Sequence, residues 1–160
     1  MSISTRVSSY LDKKAIQYDV ISHEHSNSSL SSALTAHVPV KNVAKAVILE
    51  DNIGRRLMAL LPANYKINLH TLRNQLDVMD LHIVNEEQVY KMFHGCEPGA
   101  VPAVGQAFNL NTVYDDSLDQ MIDLYLEAGD HETLIHLSHK QFKKLMVNTK
   151  HSQFSTQIFH

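Results

Sequence analysis

The chain has 160 residues and a formal net charge of −3 with neutral histidines, and 44% of its residues are hydrophobic. This length suits one domain with a hydrophobic core, and the charge disfavours a protein that must cover a long stretch of nucleic-acid backbone. A single cysteine, Cys96, excludes an internal disulfide, and neither a signal peptide nor an apolar run of about 18 residues is found, so we expect a soluble, cytoplasmic protein.

The first forty residues predict a helix, a short strand and a second helix. Between residues 3 and 16, apolar side chains recur at spacings of three and four, which is typical of an amphipathic helix. Residues 18–21 favour a strand. Ser28 or Ser29 can then cap a helix that Pro39 ends.

The next segment predicts a β-hairpin followed by two helices. Residues 45–50 and 55–61 are strand-like runs on either side of a turn at residues 51–54, which ends in glycine. Asn68 can cap one helix and Asn85 another, because a side-chain amide oxygen accepts hydrogen bonds from the free N–H groups of a first turn.

The second half predicts three more strands and a last helix. Residues 112–115, 121–127 and 133–137 favour strands, and Ser138 can begin the helix. Short strands joined by tight turns favour antiparallel pairing, so we predict an α+β fold with a curved, mostly antiparallel sheet surrounded by helices. Residues 148–160 lack clear periodicity, and we expect a domain over residues 1–147 followed by a loosely ordered tail.

Positive charge is concentrated in one part of the chain. Six cations lie between residues 41 and 73, whereas the segment from residue 115 to residue 123 is acidic. The basic region is either an ordinary solvated surface or a local contact for nucleic acid. Its members are Lys41, Lys45, Arg55, Arg56, Lys66 and Arg73.

The most informative feature is a loop at residues 95–105, which holds three of the five glycines and two of the four prolines. Glycine permits positive φ and close approach to the main chain, and proline fixes φ, so the run specifies a rigid backbone curve. Its amides can face a ligand and stabilise a developing oxyanion. A tight turn that only reverses the chain is the alternative.

Eleven histidines make a zinc site worth weighing. His23 and His25 share one face of an extended strand, but no third ligand follows from a definite motif. The segment from His131 to His136 has one residue too many for the zincin pattern. We therefore predict no metal and no cofactor, and keep a metal hydrolase as an alternative.

Four segments together resemble the YbaK and prolyl-tRNA synthetase-associated editing domains, a family of aminoacyl-tRNA deacylases. They are residues 43–48, 60–63, 96–105 and 128–131, and the resemblance covers roughly residues 15–146. It implies a compact pseudo-barrel α+β domain that hydrolyses the ester between a wrongly attached amino acid and its tRNA. One departure is Ala103, which stands where the family loop usually has proline.

The resemblance also implies roles for individual residues. Lys45 is the matched family lysine, which would hold a phosphate or the substrate carbonyl, and His131 would bind the terminal adenosine or assist proton transfer. Asp115 would bond loop amides and keep the shape of the pocket. Nothing places a histidine and a carboxylate around Cys96, so a cysteine nucleophile is disfavoured. The loop would supply catalytic amides at Gly99, Ala100 and Val101, and the substrate pocket would include Pro102, Ala103, Val104, Gly105 and Gly129.

The leading hypothesis is a free-standing editing enzyme that deacylates mischarged tRNA. Water would attack without a covalent intermediate, assisted by a ribose hydroxyl of the substrate. The partners would be the tRNA acceptor end, with its terminal adenosine and aminoacyl group, and an aminoacyl-tRNA synthetase, but neither a membrane nor DNA. The alternative is a non-catalytic module on the same fold that binds an aminoacyl group, a nucleotide or a protein.

Overall fold

A computed structural model describes residues 4–93, 96–97 and 100–158. The helices in these ranges are α1 (Thr5–Lys13), α2 (Ser29–Thr35), α3 (Leu69–Leu76), α4 (Glu86–Met92) and α5 (His139–Leu145). The strands are β1 (Asp19–Ser22), β2 (Val43–Asp51), β3 (Arg56–Pro62), β4 (Tyr65–Ile67), β5 (Leu81–Ile83), β6 (Asn111–Asp115), β7 (Asp123–Glu127), β8 (Thr133–Ser138), β9 (Lys150–Ser152) and β10 (Ser155–Gln157). Three 3₁₀ helices cover Val40–Asn42, Gly105–Phe108 and Asp116–Gln120.

Side-chain caps begin four of these helices. Ser28, Asn68, Asn85 and Ser138 each accept a hydrogen bond from the backbone N–H three residues later. Each cap satisfies a donor that the first turn leaves without a helical partner, which is why the predicted helix starts are confirmed. Among the described residues, no helix combines the length and apolar character needed to cross a bilayer.

The predicted hairpin is formed by β2 and β3, paired from Ala44 opposite Pro62 to Glu50 opposite Arg56. Asp51 closes its turn, because one carboxylate oxygen accepts from the amides of Ile53 and Arg55. Burial alone would raise the pKa of Asp51, but these bonds and the Arg55 guanidinium outweigh it and lower the pKa. The turn is therefore held by a carboxylate that remains charged.

The main sheet has the strand order β1-β8-β7-β2-β3-β6-β9, and β5 adds to β2. Most pairings are antiparallel, as predicted, whereas β2 with β7, β3 with β6 and β6 with β9 run parallel. No pairing joins β1 to β9 in the described part of the chain. The sheet is therefore open, and the pseudo-barrel implied by the resemblance is not closed.

The two faces of the sheet carry different packing. Ala44, Ile48 and Leu60 belong to the large hydrophobic cluster, and we call their side of the sheet the first face. Because side chains alternate along a strand, Val43 and Leu61 lie on the opposite side, the second face, where two smaller clusters pack. Helix α2 covers part of the second face through Ala33, which packs with Val43.

The C-terminal segment differs from the expected loosely ordered tail. It forms β9, which pairs with β6, and β10, which pairs with β4. Phe154 between them is 1% exposed and packs in a cluster of the second face. Its amide and that of Ser155 donate to the buried Asp115 carboxylate at 2.8 and 2.9 Å. These strands have only three residues each, too few to show a period in the sequence.

Candidate active site

Lys45 is the predicted site residue whose surroundings are most distinctive. It lies on β2 opposite Leu61 and projects from the second face, since it alternates with the first-face residues Ala44 and Ala46. Burial lowers the pKa of its ammonium group, and no described residue forms an ion pair with it. A half-buried cation without an ion-pair partner is suited to receive an anionic or carbonyl oxygen.

The neighbouring strand places Glu127 beside this lysine. In the parallel pairing of β2 and β7, Val43 is opposite Tyr125 and Ala44 is opposite Leu126. One residue further along both strands, Lys45 and Glu127 project from the same face, on strands that are about 4.8 Å apart. Glu127 is 0% exposed, which is unusual for a carboxylate.

Glu127 is not among the site residues that the sequence predicted, although its position in an alternating strand marks it as unusual. Leu124 and Leu126 alternate with Tyr125 and Glu127 along a strand that is otherwise suited to burial. A charged residue in such a position marks either a strand end on the surface or a buried functional group. The sequence does not distinguish these two cases.

His131 lies against Glu127, in the turn that connects β7 with β8. Its Nδ1 is 3.1 Å from Glu127 Oε2 and 3.5 Å from Ser32 Oγ, and the residue is 1% exposed. Its φ of 54° is left-handed, a conformation that non-glycine residues adopt only when the surroundings hold them there. Here the amide of Ser26 donates to the His131 carbonyl oxygen at 3.1 Å.

A second pair of an acid and a histidine lies beside His131. Glu97 belongs to the beginning of the glycine loop, and His25 follows β1. His25 Nε2 lies 2.7 and 2.9 Å from the two carboxylate oxygens of Glu97. The His25 ring meets the His131 ring edge to face, with ring centroids 6.4 Å apart. The Glu97 amide donates to the Gly129 carbonyl oxygen at 3.0 Å. These contacts form a row of four side chains, Glu97, His25, His131 and Glu127. The row connects the glycine loop to the turn after β7.

The described loop residues from Ala100 onward are buried. Val101, Ala103 and Val104 are buried in the large cluster of the first face, so their side chains do not share a face with Lys45. The Ala100 amide already donates to the Glu97 carbonyl oxygen at 3.0 Å. The predicted amide of Gly99 lies outside the described residues.

At two glycines of the predicted pocket, neighbouring atoms leave little room for a side chain. A Cβ on Gly105 would lie 2.4 Å from Thr112 Oγ1, so the 3₁₀ helix that starts there fits tightly against β6. Gly129 has a φ of 117°, and a Cβ there would lie 3.2 Å from Cys96 Sγ and 3.8 Å from Pro102 Cγ. Gly129 therefore allows the loop to approach the turn before His131.

Asp115 lies in the same part of the sheet but has other partners. It is on the strand beside β3, at the level of Leu61, and so two strands away from Lys45. Its carboxylate accepts from the amides of Ser117, Phe154 and Ser155. It bonds backbone amides, as expected, but those of its own turn and of the C-terminal segment rather than those of the described loop.

Cys96 is poorly suited to nucleophilic attack. Burial, and secondarily the Asp130 carboxylate, raise the pKa of its thiol, so the reactive thiolate is disfavoured. Its position against Gly129 gives it a packing contact.

The histidines considered for zinc have separate partners. His23 Nδ1 lies 2.9 Å from Thr35 Oγ1, His25 pairs with Glu97, and His136 pairs with Asp123 at 2.8 Å. The described residues bring one set of ligand-type groups together, Asp116, Asp119 and His151. Lys143 lies 3.1 Å from Asp119, which offsets part of the charge that a cation would need.

The basic region is partly neutralised in the structure. Arg55 pairs with Asp51 at 2.6 Å and Arg56 pairs with Glu50 at 2.8 Å. The side chains of Lys41 and Lys66 are exposed. The region thus offers scattered single cations rather than a continuous basic surface.

Comparison with known proteins decides the family. The model of the aminoacyl-tRNA editing domain matches residues 23–145. The chain belongs to this family. Membership associates it with aminoacyl-tRNA editing, and the match includes Lys45, the glycine loop, Glu127 and His131.

Individual proteins share part of their sequence or their fold with this chain. A proline–tRNA ligase from Trichlorobacter lovleyi is 25% identical over 93 residues, which is 58% of this chain but only 16% of the ligase. A candidate trans-editing enzyme for prolyl-tRNA synthetase has the same fold, with a TM-score of 0.81 at 18% identity over 97% of this chain and 99% of that one. A candidate signal transduction protein from Marinobacter aquaeolei VT8 contains the fold in 31% of its chain, covering 98% of this one at 18% identity and a TM-score of 0.78.

Proposed function

We propose that this protein is a trans-editing hydrolase that removes the amino acid from mischarged tRNA. The observation that carries the proposal is that Lys45 and the pair of Glu127 and His131 lie on neighbouring strands, or directly after one, in an editing-domain fold. Lys45 supplies a cation without an ion-pair partner among the described residues, and the imidazole of His131 supplies ring nitrogens that can accept and donate a proton. Ester hydrolysis needs both, since negative charge develops on the carbonyl oxygen and a proton must reach the leaving oxygen.

The proposed reaction is a direct attack by water. The water oxygen bonds to the ester carbonyl carbon, the bond from that carbon to the ribose oxygen breaks, and one water proton passes to the ribose oxygen. Lys45 holds the carbonyl oxygen or the adjacent phosphate, and a neighbouring ribose hydroxyl assists. Since the Ala100 amide is bonded within the loop, the predicted oxyanion amides are those of Gly99 and Val101.

The proposed substrate is a tRNA for proline that carries a wrong amino acid. Two relatives support this choice, the candidate trans-editing enzyme for prolyl-tRNA synthetase and the proline–tRNA ligase. The loop from Pro102 to Gly105, with Gly129, would shape the space for the amino-acid side chain through its backbone, because the side chains of Ala103 and Val104 pack in the core. Ala103 replaces the proline expected there, so the accepted side chain is proposed to depend on this position.

A panel of mischarged tRNAs tests the proposal, including alanyl- and cysteinyl-tRNA for proline. We expect ester loss with at least one member, and a decrease in kcat/KM of about 10²–10³-fold in Lys45→Ala, as for loss of one oxyanion donor. Lys66→Ala removes an exposed lysine and should leave the rate unchanged.

Three results would contradict the proposal. Saturable binding without turnover would favour the non-catalytic module. Full activity of a folded Lys45→Ala variant would exclude the assigned role of the lysine. Bound zinc by elemental analysis, together with inhibition by a chelator, would favour the metal hydrolase.

A further inference from the structure

We propose that Glu127 is a positioning residue for His131: its carboxylate orients the imidazole and stabilises the protonated ring during proton transfer. This inference rests on the proposed deacylation. During the reaction, the ring accepts the proton of the attacking water and returns it to the ribose oxygen, so the imidazole ends as it began. Glu127 touches neither water nor substrate in this scheme and acts through His131.

The surroundings of the Glu127 carboxylate support this role. Neither oxygen of Glu127 has a hydrogen-bond partner among the described residues, and its ion-pair contact there is His131 Nδ1 at 3.1 Å. A fully buried carboxylate is costly unless a positive charge or donors compensate for the lost water. A structural acid of this kind would be surrounded by donors, as Asp115 is with three backbone amides.

The His131 ring presents its Nδ1 side to the carboxylate. Glu127 Oε2 lies 3.1 Å from Nδ1, and Ser32 Oγ lies 3.5 Å from the same nitrogen. When the ring takes up a second proton, the adjacent carboxylate compensates for the new charge, as an orienting acid does in hydrolytic triads.

The charged groups around the pair also support this role. Lys45 flanks Glu127 on β2, and the His25 and Glu97 pair meets the other side of the His131 ring. Asp130 precedes His131 in the chain, but its carboxylate accepts hydrogen bonds from the amides of Glu132 and Thr133. Glu127 lies beside His131 and has no such backbone donors among the described residues. Removal of its charge should therefore directly change the protonation of the His131 ring.

Kinetics of Glu127→Gln test the inference, because this change removes the charge and keeps the shape. We expect kcat to fall by about tenfold or more with KM within about twofold, since only proton transfer is affected. Glu127→Asp should recover part of the loss. A Glu127→Gln and His131→Ala double variant should be no slower than His131→Ala alone. Glu132→Gln, an acid in the same turn, serves as the matched control and should retain the wild-type rate.

Nitrogen NMR of the ring tests the same inference without any substrate. We expect Glu127→Gln to change the His131 ¹⁵N shifts and titration, and Glu132→Gln to leave them unchanged. Unchanged His131 signals in Glu127→Gln, or additive losses in the double variant, would overturn the inference. If Glu127→Gln does not fold, Glu127→Asp provides the NMR comparison. A wild-type protein that deacylates no tRNA would refute the proposed function, and the ring signals would still decide the role of Glu127.

Discussion

At the scale of single residues, the proposed role of Lys45 and the stability of the fold are in opposition. Its ammonium group is half-buried without an ion-pair partner among the described residues, and this burial lowers its pKa. In the unfolded chain the same group is solvated and has a pKa of about 10.4. At any pH at which the amine is charged in the folded protein, Lys45 therefore lowers the free energy of unfolding. The opposition disappears as pH rises through the lowered pKa toward the unfolded value.

Lys45→Met should consequently raise the free energy of unfolding at pH 7 by roughly 0.5–1 kcal/mol, a small gain because solvent still screens the half-buried charge. The gain should shrink toward zero near pH 10. Urea unfolding at several pH values measures it, and Lys66→Met, on an exposed strand position, should show no such trend. A clear loss of stability at pH 7 would mean that Lys45 has a stabilising partner in the folded protein.

At the scale of elements, packing against β6 holds the end of the glycine loop at Gly105. Gly105 starts a 3₁₀ helix against Thr112 of β6, where a Cβ would approach Oγ1 to 2.4 Å. Gly105→Ala should destabilise the fold by about 1–3 kcal/mol, as overpacking does elsewhere. Thermal unfolding measures the loss, and Thr112→Ala in the same chain should restore part of it. Equal losses in the single and double variants would exclude this contact as the cause.

Elements with local signals were predictable from the sequence. The caps at Asn68 and Asn85 act on amides three residues away, and the hairpin turn is closed by Asp51 within four residues. The candidate site depends instead on distant residues: His25 and Glu97 are 72 residues apart, and the register of β2 and β7 brings Lys45 and Glu127 to neighbouring strands. Local spacing contains no information on such pairs, so Lys45 and His131 were predicted through resemblance and Glu127 was not predicted.

At the scale of the whole molecule, charge limits the number of phosphate contacts that the proposed binding of tRNA can use. The net charge is −3, and Arg55 and Arg56 are each paired with an acid. Each phosphate contact adds about 0.7–0.9 to the slope of log affinity against log salt. We expect two or three contacts at the acceptor end, hence a slope of about −2 and a loss in kcat/KM below about twentyfold between 50 and 200 mM NaCl.

A contact confined to the acceptor end also predicts which substrates suffice. A minihelix that contains only the acceptor stem and the aminoacyl ester should be deacylated with a kcat/KM within about threefold of that for full tRNA, because phosphates beyond the stem add no binding energy. Parallel salt titrations on both substrates test this, and the two slopes should agree. A full tRNA that reacts more than tenfold faster, with a much steeper slope, would require a second contact surface. Charge-reversal variants of the exposed Lys41 and Lys66 would then show whether that surface is the basic region between residues 41 and 73.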